Sequence, residues 1–293
     1  MIAEHMTGST VPRRQLGRYL RDLRMQASVT VRAAARELEW SEQKIWRIET
    51  GQVSMRVLDV RALCEMYGAS PDMTEALKGL ARETKARGWW HAYSDALPDG
   101  FDLYAGLEEA ASELLWYEDK LIPGLLQTPD YTADIIRAHR PDLSEAAVDR
   151  RTQLRMDRQA ILRRPVGAPE LRVVLSEGVL RQLVGTPRLM AGQLAHLAYV
   201  AANANIRLRV VPFGVCNPGG LAGTFTILRF PEGRMAELPT VYVEGFTGGL
   251  FLDKPEEIEQ YDTVFQKVWG AALDDQESIS LIAELARKYE QVQ

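Results

Sequence analysis

Cysteine is scarce: Cys64 and Cys216 are the only two in 293 residues. They are too few and too isolated for a disulfide framework or a clustered zinc site, and each reads as a small buried hydrophobe. The four histidines, His5, His91, His139 and His196, are scattered without metal-ligand spacing, so no metal site is expected. No apolar run reaches the ~18 residues of a membrane span. The opening MIAEHMTGST has neither the charged start nor the apolar core of a signal peptide. A cytoplasmic protein that does not enter a membrane is the expectation. Enzymatic signatures are lacking too. Gly245, Gly248 and Gly249 do not have dinucleotide-fingerprint spacing, and Pro218-Gly219-Gly220 reads as a turn between strands rather than a phosphate cradle. Ser176-Glu177 reads as a helix cap with a favourable dipole partner. No Ser-His-Asp or Cys-His grouping follows from residue order, so no catalytic residue, no cofactor and no enzymatic activity are expected.

What is present is ordinary globular material, 46% hydrophobic and 26% charged, in a chain long enough for one small and one larger domain. The net charge of −5 is unevenly divided. Residues 11–86 hold 14 Lys/Arg against 10 Asp/Glu, a net of +4, whereas residues 87–293 hold 21 against 29, a net of −8. A polyanion is drawn to the first segment and repelled by much of the second.

Residues 1–12 show no periodicity and read as a flexible arm. A helix is predicted from about Arg14 to Ala27, with Leu16, Tyr19, Leu20 and Leu23 on one face and Arg14, Arg18, Arg21 and Arg24 on the other. Thr30 is the expected N-cap of a short helix, Val31 to Leu38, and Ser41 of the next, in 41-SEQKIWRIETG-51, which Gly51 ends. A fourth helix, Met55 to Tyr67, carries Leu58, Ala62, Leu63 and Met66 inward, and a fifth runs from Asp72 to Arg87. Two short helices joined by about three residues and flanked by longer ones form a helix-turn-helix. Its second helix presents its first turns to base edges. Ile45 and Ile48 hold that helix to its partner and leave Glu42, Gln43, Lys44 and Arg47 facing outward as base-reading candidates. Gln pairs bidentately with adenine, Lys meets guanine or phosphate, and Glu accepts from cytosine. Arg32, Ser41, Arg56 and Arg14 are the candidates for the DNA backbone.

VTVRAAARELEWSEQKIWRIETG, residues 29–51, resembles the Cro/repressor-type (Xre-like) helix-turn-helix family. The matching positions are Val31, Ala35, the turn, Ser41, a polar triplet, Ile45 and the closing Ile48-Glu49-Thr50-Gly51. One departure is Glu39, where the family has Gly in the turn; a left-handed residue there costs on the order of 1 kcal/mol.

The junction 88-GWWHAYSDALPDGF-101 is punctuated by Gly88, Pro98, Asp99 and Gly100 and reads as a linker over residues 88–102, with Trp89 and Trp90 as a staple between domains or a pocket wall. This gives a helix-turn-helix domain at residues 13–87 and a second domain at 103–293. In the second, a long helix is expected from Leu103 to Tyr117, then helices at Pro129–His139, Ser144–Leu162, Glu177–Val184 and Pro187–Ala204. Strands are expected at Leu171–Leu175, Ile206–Pro212, Gly223–Phe230 and Thr240–Val243, and two helices, Pro255–Ala272 and Gln276–Tyr289, close the chain. The fold class is multidomain: a five-helix α domain followed by an α+β, mixed helix/strand regulatory domain. Trp116, Tyr117, Phe225 and Phe246 are candidates to line a ligand or partner pocket, though core aromatics are the competing reading.

The stretches WYEDKLIPGLLQTPDY, LSEGVLRQLVG, MAGQLAHL, IRLRVVPF and GGLAGTFTILRF, in that order, resemble the large C-terminal domain of actinomycete regulators of the WhiJ-like type. That resemblance implies a transcription factor, often encoded beside a small partner protein, with an antitoxin-like arrangement as an alternative; it transfers no catalytic residue. The expected function is sequence-specific DNA binding to a pseudo-palindromic operator by a homodimer, with a signal or small-protein input through the second domain. An enzyme with a DNA-targeting module is the remaining alternative.

Overall fold

The computed structural model describes residues 10–84, 89–93, 96, 101–232, 237–245 and 248–292. The chain divides into two compact units. The first comprises Met1–Ala92, Asp102–Ala110 and Glu232–Glu237; the second comprises Tyr93–Phe101, Ala111–Pro231 and Leu238–Gln293.

In the first unit lie helices α1 (Thr10–Gln26), α2 (Val31–Glu37), α3 (Glu42–Glu49), α4 (Val57–Tyr67) and α5 (Pro71–Glu83). Their starts follow from local chemistry. The side chains of Thr30, Ser41 and Ser70 accept from the backbone N–H groups of Ala33, Lys44 and Met73, each cap contributing about 1 kcal/mol. The core collects Leu16 and Leu20 of α1, Ala34 and Ala35 of α2, Ile45 and Ile48 of α3, Val60 and Leu63 of α4, and Leu77 of α5. Burying each isoleucine contributes about 1.5–3 kcal/mol, which a helix of eight residues needs because it is marginal alone. Glycine makes the tightest approach possible: a Cβ on Gly17 would sit 2.3 Å from the carbonyl oxygen of Ile48, so α1 meets α3 backbone to side-chain-free backbone.

Four expectations for this unit change. Residues 10–12 of the expected arm are helical, since Pro12 falls in the first turn, where its missing N–H has no partner to lose. Leu58 is 73% exposed, and beside the expected Leu63 α4 turns Val60, Cys64 and Tyr67 inward. Its sequence, VLDVRALCEMY, is apolar nearly all round, so periodicity left the centre of the buried face open and packing shifted it. Helix α5 stops at Glu83, short of Arg87. Helix α6 (Phe101–Ala110) joins this unit from Asp102 onward, although the sequence division gave it to the second domain. A Cβ on Gly106 would overlap the Thr10 side chain, so α6 lies directly on the start of α1. Trp90 is buried, with the Trp89 ring meeting it edge-on at 6.0 Å.

The second unit is built on strands β1 (Glu113–Glu118), β2 (Glu170–Ser176), β3 (Ile206–Val211), β4 (Phe225–Arg229), β5 (Thr240–Gly245) and β6 (Gly248–Leu252). They form one six-stranded mixed sheet in the order β3-β2-β1-β4-β5-β6. Strands β1, β2 and β3 are parallel, and β4, β5 and β6 continue as an antiparallel meander. The crossovers carry α7 (Pro129–His139) and α8 (Glu145–Arg158), then α9 (Glu177–Arg181) and α10 (Pro187–Val200); α11 (Pro255–Ala271) and α12 (Asp275–Glu290) close the chain. One face of the sheet presents Leu115, Tyr117, Val174, Phe225, Ile227 and Val241 to Phe265 and Val268 of α11. Alternate residues on the other face, among them Leu114, Trp116, Val173, Leu175 and Leu208, are buried as well, so helices cover both faces. The edge of β3 is closed by the α11–α12 corner: Val210 N donates to Ser278 Oγ at 3.0 Å, and Leu273 N to Val210 O at 2.9 Å.

Residues 113–118, expected as the end of a long helix, are a strand. ELLWYE is buried at almost every position, and a continuous apolar run carries no period to separate a central strand from a core helix. Strand β6 was not expected, since GGLFL opens on two glycines that weaken any strand signal. Ser144–Leu162 breaks at Arg158 into a 3₁₀ turn, and the helix at Glu177 ends at Arg181. Ser176 precedes that helix without a side-chain cap bond; instead Glu177 Oε2 accepts from Phe213 N at 2.7 Å, and its carboxylate pairs with Arg181. Cys64 is buried as expected, but Cys216 is exposed.

The irregular loop from Ile122 to Thr128 is held by three buried glutamines. Gln193 donates to Leu126 O at 2.8 Å and accepts from Thr128 N at 2.7 Å; Gln159 donates to Gly124 O at 3.0 Å and Gln127 O at 2.7 Å; Gln127 donates to Ile122 O at 2.6 Å. An amide carries both donor and acceptor, so it replaces the missing backbone ladder in a way no other uncharged side chain of that length can.

Candidate nucleic-acid interface

The pair α2–α3 is set by two caps and one turn. Leu38, Glu39 and Trp40 connect the helices; Glu39 has φ +55°, the left-handed conformation that its position in the motif demanded of a glycine. Gly51, at φ +71°, ends the following turn, where a Cβ would come within 2.7 Å of Arg14 Cα. Between these points α3 has a sharp division of faces. Ile45, Ile48 and Glu49 are buried; Glu42, Gln43, Trp46 and Arg47 are exposed.

Glu49 is buried because it has a partner. Arg24 of α1 grips it in a fork, Nε to Oε1 at 2.6 Å and Nη2 to Oε2 at 2.8 Å, while Arg24 Nη1 reaches Val29 O at 2.9 Å. The hydrogen bond to Glu49 raises the Arg24 pKa above its ordinary value, so the guanidinium is firmly charged. One side chain therefore ties α1, the α1–α2 link and the last turn of α3. Arg24 read as part of a basic surface in the sequence; its role as a clamp needed the fold.

The base-reading candidates separate in the same way. Glu42, Gln43 and Arg47 stand outward, exposed at the start and middle of α3. Lys44 lies on a flank, its Nζ 3.3 Å from the Trp40 ring centroid and 4.0 Å from Asp59 Oδ2. A cation held over an indole and beside a carboxylate is steered away from the outward face. Of the backbone candidates, Arg32 in the first turn of α2 and Arg56 at the N-cap of α4 are exposed. Ser41 spends its side-chain oxygen on Lys44 N at 3.1 Å, and the N–H groups of the first turn of α3 face the same side as that cap. Arg14 does not stand at the surface: it is buried, with Nε 3.2 Å from Glu237 Oε1. Its place on the basic face of α1 is real, but Glu237 of the same compact unit covers it, and Arg18 meets Glu237 at 3.4 Å as well.

The expected pocket in the second unit is not brought together. Tyr117 and Phe225 pack on each other in the sheet core, ring centroids 5.8 Å apart, with Tyr117 Oη accepting from Asn217 Nδ2 at 2.7 Å. Trp116, next to Tyr117 on β1, points to the opposite face because successive strand residues alternate. Phe246 lies outside the described residues. Core aromatics are thus what the structure makes of three of the four.

Residues 15–77 match a helix-turn-helix domain, a span that holds α2, α3, the Arg24 clamp and all of α4. Residues 101–284, well over half of the chain, match the Domain of unknown function (DUF5753). The chain belongs to the DUF5753 family. The DUF5753 match takes in the whole six-stranded sheet, the helices from α6 to α11 and the first part of α12. No curated protein and no solved structure matches the chain. A helix-turn-helix domain points to DNA binding and transcription regulation, and it stands here in front of a DUF5753 domain. Among the described residues no helix is long and apolar enough to cross a membrane.

Proposed function

We propose that the chain is a sequence-specific DNA-binding transcriptional regulator of the Xre-like, WhiJ-like type, which reads the major groove with α3. The observation that carries this reading is the division of α3: Ile45 and Ile48 are buried against the helical core while Glu42, Gln43 and Arg47 are exposed on the opposite side. A helix offered in that way, with a capped N-terminus and Arg32 and Arg56 exposed on the helices beside it, fits the docking of a recognition helix. Gln43 is the principal reader, bidentate to an adenine, and Arg47 meets a guanine or a phosphate. Arg32, Arg56 and the N-terminus of α3 near Ser41 take the backbone. Lys44 has a secondary role, since it must leave Trp40 and Asp59 to reach a base.

One such module makes few contacts, so the reading takes a homodimer on a pseudo-palindrome, half-sites about one helical turn (~34 Å) apart or a multiple of it. The DUF5753 domain supplies the dimer contact and the signal or partner input; no catalysis is part of this reading. Genome-wide footprinting of the wild type beside a Gln43→Ala, Lys44→Ala variant tests it. The proposal expects protected sites sharing one motif in the wild type and their loss in the variant. Equal occupancy in the two strains would overturn it.

An antitoxin-like role draws on a different observation. The segment between β3 and β4 exposes Phe213, Val215 and Leu221, an apolar surface that a small partner protein would cover. Co-purification with a small protein encoded next to this chain favours that reading, and autoregulatory DNA binding is then its second function.

A further inference from the structure

Trp46 stands on the exposed side of α3 with 53% of its surface open, and among the described residues it is the only tryptophan so exposed. Scattered exposed leucines and valines need no explanation. A half-exposed indole in the middle of an eight-residue helix is another matter, because the same helix buries both of its isoleucines. Trp46 neither packs into the helical core nor takes Lys44, whose ammonium sits over Trp40 instead. Gln43, Trp46 and Arg47 are spaced i, i+3 and i+4, so their side chains form one contiguous patch. Thr50 extends that patch and fixes its end, its Oγ1 donating to Trp46 O at 2.8 Å.

We infer that Trp46 is a specificity-determining residue that packs on the 5-methyl group of a thymine, next to the base pair read by Gln43. This deepens the reading of α3 as a recognition helix and rests on it. The major groove offers two kinds of surface, hydrogen-bonding edges and the thymine methyl, and only the second suits the carbon face of an indole. The spacing is suitable. Three residues of helix rise carry Trp46 about 4.5 Å beyond Gln43, and one base step is about 3.4 Å. An adenine read by Gln43 and a methyl read by Trp46 therefore fall on neighbouring base pairs, on either strand. Cytosine at that position presents an amino group and no methyl, so the indole would desolvate a donor without pairing it.

The test uses the full chain. Duplexes are selected from a random pool by the wild type, and each thymine of the enriched motif is then replaced singly by deoxyuridine, which removes the methyl and nothing else. One such replacement, within a base step of the adenine lost as a requirement in Gln43→Ala, is expected to weaken wild-type binding about four-fold, the factor equivalent to ~0.8 kcal/mol for one buried methyl. Trp46→Ala is expected to bind the two duplexes equally, and Trp46→Phe to keep part of the preference. Because Trp46 is exposed, Trp46→Ala should melt with the wild type, and a circular-dichroism melt checks that. If the wild type enriches no motif, the recognition-helix reading fails and this inference falls with it. If a motif appears, but every deoxyuridine duplex weakens wild type and Trp46→Ala by the same factor, only the role of Trp46 is overturned.

Discussion

Arg24 and Glu49 are joined by two charge-assisted hydrogen bonds of 2.6 and 2.8 Å across the interface of α1 with α3. This pair holds the end of α3 while a third bond from Arg24 reaches the carbonyl of Val29. Removing one partner leaves the other charge in a half-dry site. Glu49→Ala is expected to destabilise the helix-turn-helix unit by about 2–3 kcal/mol, with Arg24→Ala close to it. The double variant should cost less than the sum, because the partners act as one unit. Chemical denaturation of the three variants gives these values; strict additivity would show that the fork contributes nothing beyond packing.

Glu39 occupies the left-handed turn between α2 and α3 at φ +55° with its side chain exposed. Glu39→Gly relieves the Cβ strain but adds unfolded-state entropy, so a net gain of up to about 1 kcal/mol is expected. DNA binding should not change. A loss of stability on this substitution would mean that the Glu39 side chain does something its exposure does not indicate.

The turn, the caps at Thr30 and Ser41, and the buried isoleucines were all legible in residues 29–51, because each depends on neighbours within four positions. The Arg24–Glu49 fork and the burial of Arg14 under Glu237 were not, since they join residues 25 and more than 200 positions apart. The same limit explains β1. A strand buried on both faces has no alternation to read, and only its pairing with β2 and β4 distinguishes ELLWYE from a core helix. The helix pattern of α7, α11 and α12 was visible because each has a polar side.

Gln193 is wholly buried and closes the loop before α7 by accepting from Thr128 N and donating to Leu126 O. Gln193→Leu keeps the volume and orphans both backbone groups, for an expected loss of about 2–4 kcal/mol in the DUF5753 domain. Gln193→Glu keeps only the acceptor and should also destabilise. Melting of each variant against wild type tests this; a neutral Gln193→Leu would mean that water replaces the amide.

Glu118 ends β1 in a buried site, and burial pushes its carboxyl above the usual carboxylate range even though Thr224 and the Lys120 backbone bond to it. Thr224 Oγ1 lies 2.7 Å from Glu118 and 2.9 Å from Asp119, and one hydroxyl proton serves only one of them. An acid with a raised folded pKa binds its proton more tightly in the native state. Its stabilising contribution is complete below the unfolded value near 4.5 and is lost as pH rises through the folded one. Wild-type stability is therefore expected to fall relative to Glu118→Gln between pH 4 and 7. A gap that stays constant across that range would contradict the assignment.

The central claim is that α3 reads base sequence, and equilibrium anisotropy over a salt series, with an enriched operator and a scrambled duplex of equal length, tests it most directly. Gln43→Ala should lower the operator-to-scrambled affinity ratio by about 5- to 150-fold without altering the salt slope. Arg56→Ala should weaken both duplexes alike and reduce that slope by about 0.9. A wild type that binds both duplexes equally, or a Gln43→Ala protein that keeps the wild-type ratio, would contradict the account.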